Sequence, residues 1–109
     1  MSLNYVILSG HLVQDSEIRY TVSGKAVLEF NLALADTHQP DQTHTIRVIN
    51  RRESSPEIQR QLRKGTNVIV EGQIQKRKSE VSGIKRMQPE IQLESLSILG
   101  STHMKGTAL

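Results

Sequence analysis

Residues 4–34, NYVILSGHLVQDSEIRYTVSGKAVLEFNLAL, decide how this chain folds. Tyr5, Val6, Ile7 and Leu8 form a short β-prone apolar run that ends at Ser9-Gly10. His11, Leu12 and Val13 continue it, and Gln14-Asp15-Ser16 break it. Tyr20-Thr21-Val22 then leads into Ser23-Gly24, a turn dipeptide. From there the alternation is strict. Ala26, Leu28, Phe30, Leu32 and Leu34 share one face, and Val27, Glu29, Asn31 and Ala33 the other. A period of two predicts a half-buried antiparallel strand. Gly10 stands where a long first strand must bend, and a long strand bent at a glycine starts to close a small sheet into a barrel.

The remaining chain supplies the other walls of that barrel. Residues 36–42 are polar, contain Pro40 and read as a hairpin loop. Thr45–Arg51 is the next strand, with Ile46 and Val48 on one face and Arg47, Ile49 and Arg51 on the other. A helix follows. Ser54 and Glu57 have capping-box spacing; alternatively Ser55 caps, with Pro56 at the first helical position. Ile58 and Leu62 face the barrel, Arg63 and Lys64 complement the dipole, and Gly65 stops a helix of about 8 to 10 residues. Asn67–Lys78 is a long strand whose basic end, Lys76-Arg77-Lys78, projects from the core. Residues 79–85 read as a second hairpin loop turning at Ser82-Gly83, and Met87–Leu99 as a last strand interrupted near Pro89. Five strands with one helix between the third and fourth is the order of an OB barrel, so the fold class is all-β. Residues 1–100 form the domain and 101–109 a flexible tail.

Composition narrows the function. At 109 residues the chain is one domain with a modest core, which assembly would help to stabilise. It has no cysteine, which fits a reducing compartment. No apolar run approaches the roughly 20 residues of a membrane span. The net charge of +3 is unevenly spread. Residues 1–46 carry two basic and five acidic side chains, a formal −3; residues 47–86 carry eleven and four, a formal +7; residues 87–109 carry one and two. A basic middle in a small β domain points to a polyanion. The histidines at 11, 38, 44 and 103 lack metal-ligand spacing. There is no P-loop, no G-x-S-x-G and no carboxylate pair with a plausible base, so catalysis is the class supported least, and no cofactor or metal is expected.

Two blocks carry a resemblance. The first is Val6, Ile7, Leu8, Gly10 and Leu12, then Asp15, Glu17, Ile18, Arg19, Tyr20, Thr21, Ser23, Gly24, Ala26, Val27, Phe30, Leu32 and Ala33. The second is Leu62-Arg63-Lys64-Gly65 followed by Val68, Val70, Glu71, Gly72 and Arg77. In order and spacing they resemble the bacterial single-stranded DNA-binding protein family, an OB-fold family, across residues 4–99. The resemblance implies a non-enzymatic protein of replication, recombination or repair, cytoplasmic and associated with the bacterial nucleoid. It also implies a dimer or tetramer that pairs first strands. A relative of the primosomal restart protein, with protein partners first and single strands second, is the alternative.

The family stacks bases on aromatic side chains, and each such base is worth about 1–3 kcal/mol. This chain has only Tyr5, Tyr20 and Phe30. Phe30 lies on the core face, Tyr20 reads as structural or at a rim, and Tyr5 starts the first strand. Where the family carries stacking aromatics, this sequence has Thr45, Arg51 and Ser79. Arginine substitutes in part, because its guanidinium both stacks and meets phosphate. Arg47, Arg51 and Arg77 face away from the core, while Lys76, Lys78, Lys85 and Arg86 flank the second hairpin. The resemblance adds Arg19, Arg63 and Lys64. The expectation is weak, salt-sensitive binding with little base preference. The family's acidic tail, which recruits partner proteins, has no counterpart in residues 101–109: either the chain is truncated or it does not recruit partners that way.

Overall fold

The computed structural model describes residues 2–52 and 55–100. In chain order the elements are β1 (Val6–Leu12), β2 (Glu17–Tyr20), β3 (Ala26–Ala35), β4 (Thr43–Asn50), α1 (Pro56–Gln61), β5 (Asn67–Val81) and β6 (Ile84–Ile98). The sheet runs β1-β5-β6-β4-β3-β2, and a second pairing of β1 with β3 closes a ring of five strands. β4 and β6 are parallel; the other neighbours are antiparallel. β1 and β2 lie on the same edge of β3, β2 opposite Ala26–Glu29 and β1 opposite Leu32 and Ala33. The first strand is therefore one long strand broken at Gln14–Ser16, as its sequence implied.

Closure depends on two close approaches. β1 pairs with β5 from Val6 to His11 and reaches β3 at His11 and Leu12. A Cβ at Gly10 would stand 2.1 Å from the Ala33 carbonyl oxygen, so only glycine lets the strands cross there. At Gly72 a Cβ would stand 2.0 Å from the Gln92 carbonyl oxygen. The β5–β6 register also shifts beside Gly72, which lies opposite Leu93 while Glu71 lies opposite Ser95. A bulge and a glycine together coil this long hairpin.

Inside the ring lie Leu12, Leu28, Phe30, Leu32, Val48, Val68, Val70, Ile91, Leu93, Leu96 and Ile98, plugged at one end by Ile58 and Leu62 of the helix segment. Full burial of each such side chain contributes roughly 1.5–3 kcal/mol. The helix is shorter than expected. Ser55 is its N-cap, its side chain accepting from the Ile58 N–H at 3.2 Å, and Pro56 follows. Of the two capping readings the second is therefore the observed one. Leu62 ends the helix, so Arg63 and Lys64 occupy the following turn. That turn is stitched to the β1–β2 break by Lys64 N–H to Asp15 Oδ1 (2.8 Å), Ser16 N–H to Leu62 O (2.9 Å) and Gly65 N–H to Leu12 O (2.8 Å).

Three further expectations need correction. The second hairpin has no seven-residue loop: β5 and β6 run to a tight turn at Ser82-Gly83, both at positive φ. Pro89 does not interrupt β6. It lies just outside the rungs to β4, which begin at Glu90, and a missing N–H is tolerated on a free strand edge. β3 is buried on both faces, because Val27, Glu29 and Ala33 are covered as well as the core set. Among the described residues no helix is long and apolar enough to cross a membrane.

Candidate nucleic-acid interface

Strand alternation fixes what the outer surface of β2, β3, β4, β6 and β5 displays. On β3, Val27, Glu29 and Asn31 point away from the core, and across from them stand Arg19 of β2 and Arg47 and Ile49 of β4. Arg47 is opposite Glu90 of β6 and Ile49 opposite Gln92. On β5, Gln73, Gln75 and Arg77 face Gln92, Glu90 and Gln88. Arg19, Arg47, Arg51 and Arg77 thus converge around one open depression of ≈ 260 Å³, with Glu29, Ile49 and Glu90 at its base. Arg86, opposite Ser79, continues this face toward the hairpin tip.

The four arginines are not equivalent. Glu29 is 8 % exposed and bonds both Arg19, through Nε, and Arg47, through Nη2. Glu90 is 4 % exposed; its Oε1 accepts from Gln75 Nε2 at 2.9 Å, and its Oε2 lies 3.8 Å from Arg47 Nε. Neither Arg47 Nε nor Glu90 Oε2 has a hydrogen-bond partner, so that contact is electrostatic. The Arg47 side chain is only 24 % exposed. Arg51 instead donates from Nε to the neutral Gln92 Oε1 at 3.2 Å. Among the described residues no carboxylate lies within ion-pair distance of Arg51, Arg77 or Arg86.

The other sequence candidates lie elsewhere. Lys76, Lys78 and Lys85 alternate onto the opposite side of the projecting hairpin, beside Met87 and Pro89. Arg63 pairs loosely with Asp15 at 3.9 Å, both exposed. Lys64 lines a separate depression with His11, Ala33 and Thr45, beyond the arginine cluster. Sequence reasoning missed Glu29 and Glu90. A glutamate on the outward face of the cleanest strand was a usable signal; Glu90 carried none, because its partner is set by the parallel β4–β6 register. Ile49, which alternation places on the same outward face as Arg47 and Arg51, is 3 % exposed beneath the arginine network. Tyr20 is 73 % exposed at the rim of the depression, so one ring remains available to stack.

Two surface groups are electrostatically tuned. At Tyr5, desolvation first, then the charge and hydrogen bond of Glu71, push the phenol above its ordinary range. At Asp36 the His44 ring, followed by the His38 and Gln39 N–H groups, holds the carboxyl below the usual range. Neither belongs to the arginine face, and among the described residues no cluster is suited to a metal ion.

Comparison with known proteins gives the family. The family model described as the single-strand binding protein family matches residues 3–99. The chain belongs to that family. Single-stranded DNA-binding proteins of Neisseria meningitidis serogroups A and B are each 35 % identical to it over 107 residues, covering 92 % of this chain and 62 % of the relative. The chain thus spans about three fifths of the length of these relatives. Among solved structures, a Plasmodium falciparum SSB complex with ssDNA superposes with a TM-score of 0.75 at 24 % identity, covering 92 % of this chain and 97 % of that one. This likeness supports the OB fold of the single-strand binding family member described above.

Proposed function

We propose that this domain binds single-stranded DNA, without catalysis, across the outer face of β2, β3, β4, β6 and β5, in replication, recombination or repair. The observation that carries the reading is the convergence of Arg19, Arg47, Arg51 and Arg77 on one open face, continued by Arg86. Arg51 and Arg77 are the cations free for phosphate and base contact, Tyr20 is the rim stacker, and Arg19 and Arg47 contribute less because Glu29 and Glu90 offset them. Lys76, Lys78 and Lys85 would guide the strand from behind the hairpin. Binding of this kind is electrostatic, with a log–log salt slope of about −0.7 per phosphate. Residues 1–100 form the binding unit; the tail, 101–109, lies outside the described residues. The place of action is the bacterial nucleoid.

Assembly belongs to the same reading. From Val6 to Gly10, β1 pairs with β5 on one side only, with Tyr5 and Ile7 exposed. A free, apolar strand edge is an aggregation hazard unless paired, and pairing with its copy across a two-fold axis gives an isologous dimer, or a dimer of dimers. Linked faces then add weak contacts through effective concentration. Light scattering should give a multiple of 12.2 kDa, and Ile7→Asp should shift it to the monomer. A wild-type monomer at micromolar concentration removes the assembly argument.

The second reading, an OB-fold interaction protein of the restart primosome with secondary DNA binding, is favoured by the offset charge of Arg19 and Arg47 and by the absence of aromatics from the middle of the face. Titrating labelled oligo-dT, duplex and RNA at two salt concentrations separates the two. Preference for oligo-dT that weakens with salt supports the first; equal affinity for duplex and single strand removes it.

A further inference from the structure

We infer that Glu29 and Glu90 set the affinity of the arginine face by holding Arg47 away from phosphate, a built-in acidic restraint on strand binding. The inference rests on the single-strand reading of that face. Both carboxylates lie on the outer side of their strands and are buried there, among arginines rather than in the apolar core. A neutral side chain fills the equivalent place one step along the strand. Two residues along β6, Gln92 occupies the same face and serves Arg51 with a neutral oxygen at 3.2 Å, which leaves the charge of Arg51 uncancelled. Glu90 instead faces Arg47 with a carboxylate, and its partner Gln75 could donate to a glutamine oxygen in the same place, in a neutral bond weaker than the present charge-assisted one.

Arg47 stands at the centre of the face, between Asn31 and Glu90. Glu29 takes Nη2, Glu90 faces Nε, and Arg19 is drawn onto Glu29 as well. An arriving phosphate must therefore compete with carboxylates already seated on these guanidiniums. The Arg47–Glu90 contact is the weaker of the two, at 3.8 Å with neither atom hydrogen-bonded. It is the contact whose removal should free Arg47 at least structural cost. Fewer cations then release counterions in the native protein than the sequence contains, and both affinity and salt slope are held down.

The test is Glu90→Gln, with labelled oligo-dT as the probe and salt varied. Neutralising a charge beside the strand should tighten binding about three- to tenfold at low salt and steepen the salt slope by about 0.7. Glu57→Gln makes the same change in net charge on the exposed first turn of α1 and should leave both nearly unchanged. An equal gain in both variants overturns the restraint, since net charge alone would then explain it. So does binding by the native protein with no gain in Glu90→Gln. If Glu90→Gln melts markedly lower, Glu29→Gln gives the same readout, and loss of the fold in both shows the carboxylates to be structural and overturns the inference. Binding by Glu90→Gln where the native protein binds too weakly to detect supports it. Absence of binding by both proteins overturns the reading of the face itself.

Discussion

Replacing Arg47 with alanine removes the guanidinium that touches both Glu29 and Glu90 and leaves buried carboxylate charge behind. Removing one partner of a buried ion pair costs about 3–5 kcal/mol, mostly from the uncompensated charge. Here the lower end applies. Arg19, its side chain 61 % exposed, stays on Glu29, so Glu90 is the carboxylate left without a cation. A loss of about 3 kcal/mol is a large share of the roughly 5–15 kcal/mol that holds a domain of this kind together. At about 4–5 °C per kcal/mol for this size, the midpoint should fall by about 12–15 °C. Thermal unfolding followed by circular dichroism at neutral pH measures it. Arg47→Met, which keeps much of the volume, should lose nearly as much, while Arg51→Ala should stay within about 0.5 kcal/mol of the native protein. A melting point for Arg47→Ala within about 3 °C of native would refute the claim that Arg47 is held in a buried network rather than offered to solvent.

The remaining expectations follow from the same geometry. Arg51→Ala with Arg77→Ala should weaken oligo-dT binding and flatten its salt slope by about 0.7 per lost phosphate contact, with melting unchanged; undiminished affinity would place the strand elsewhere. Gly72→Ala should cost about 3 kcal/mol or more, because its Cβ meets the Gln92 carbonyl oxygen at 2.0 Å, and a near-native urea midpoint would contradict the closure described. The Asp36 carboxyl, held below its usual range, should keep accepting from the His38 and Gln39 N–H groups above the ordinary carboxylate pKa and release them only as pH falls through its own lower value. Amide exchange at those two residues, corrected for intrinsic rates, should therefore quicken only in strong acid; loss of protection already at about pH 5 would reverse the sign.

Much of the barrel was legible because its signals are local. The alternation from Ala26 to Leu34 and the glycine in the first strand mark β3 and the bend of β1 directly. Ser55-Pro56 marks the helix start for the same reason. What the sequence concealed is non-local. Pro89 read as an interruption because only the β4–β6 register shows that its edge is free. The outer face of β3 read as half-buried because the side chains that cover it come from β2 and β4. Lys76, Lys78, Lys85 and Arg86 read together as flanking the hairpin, yet the β5–β6 register puts Arg86 on the side of Arg77 and the three lysines on the other. Above all, Arg47 read as a free cation. Its partners, Glu29 and Glu90, come from two neighbouring strands, and a charge count over a stretch of chain cannot show such pairing.

The most direct measurement of the central claim is a map of where a single strand lies. Backbone amide chemical shifts of the ¹⁵N-labelled protein, followed as oligo-dT is added at low salt, report it residue by residue. Binding across the arginine face should move Arg19, Tyr20, Asn31, Arg47, Arg51, Arg77 and Gln88 together and leave the Arg63–Lys64 turn nearly still. Shifts confined to that turn, or to Lys76, Lys78 and Lys85 on the reverse of the hairpin, would contradict it.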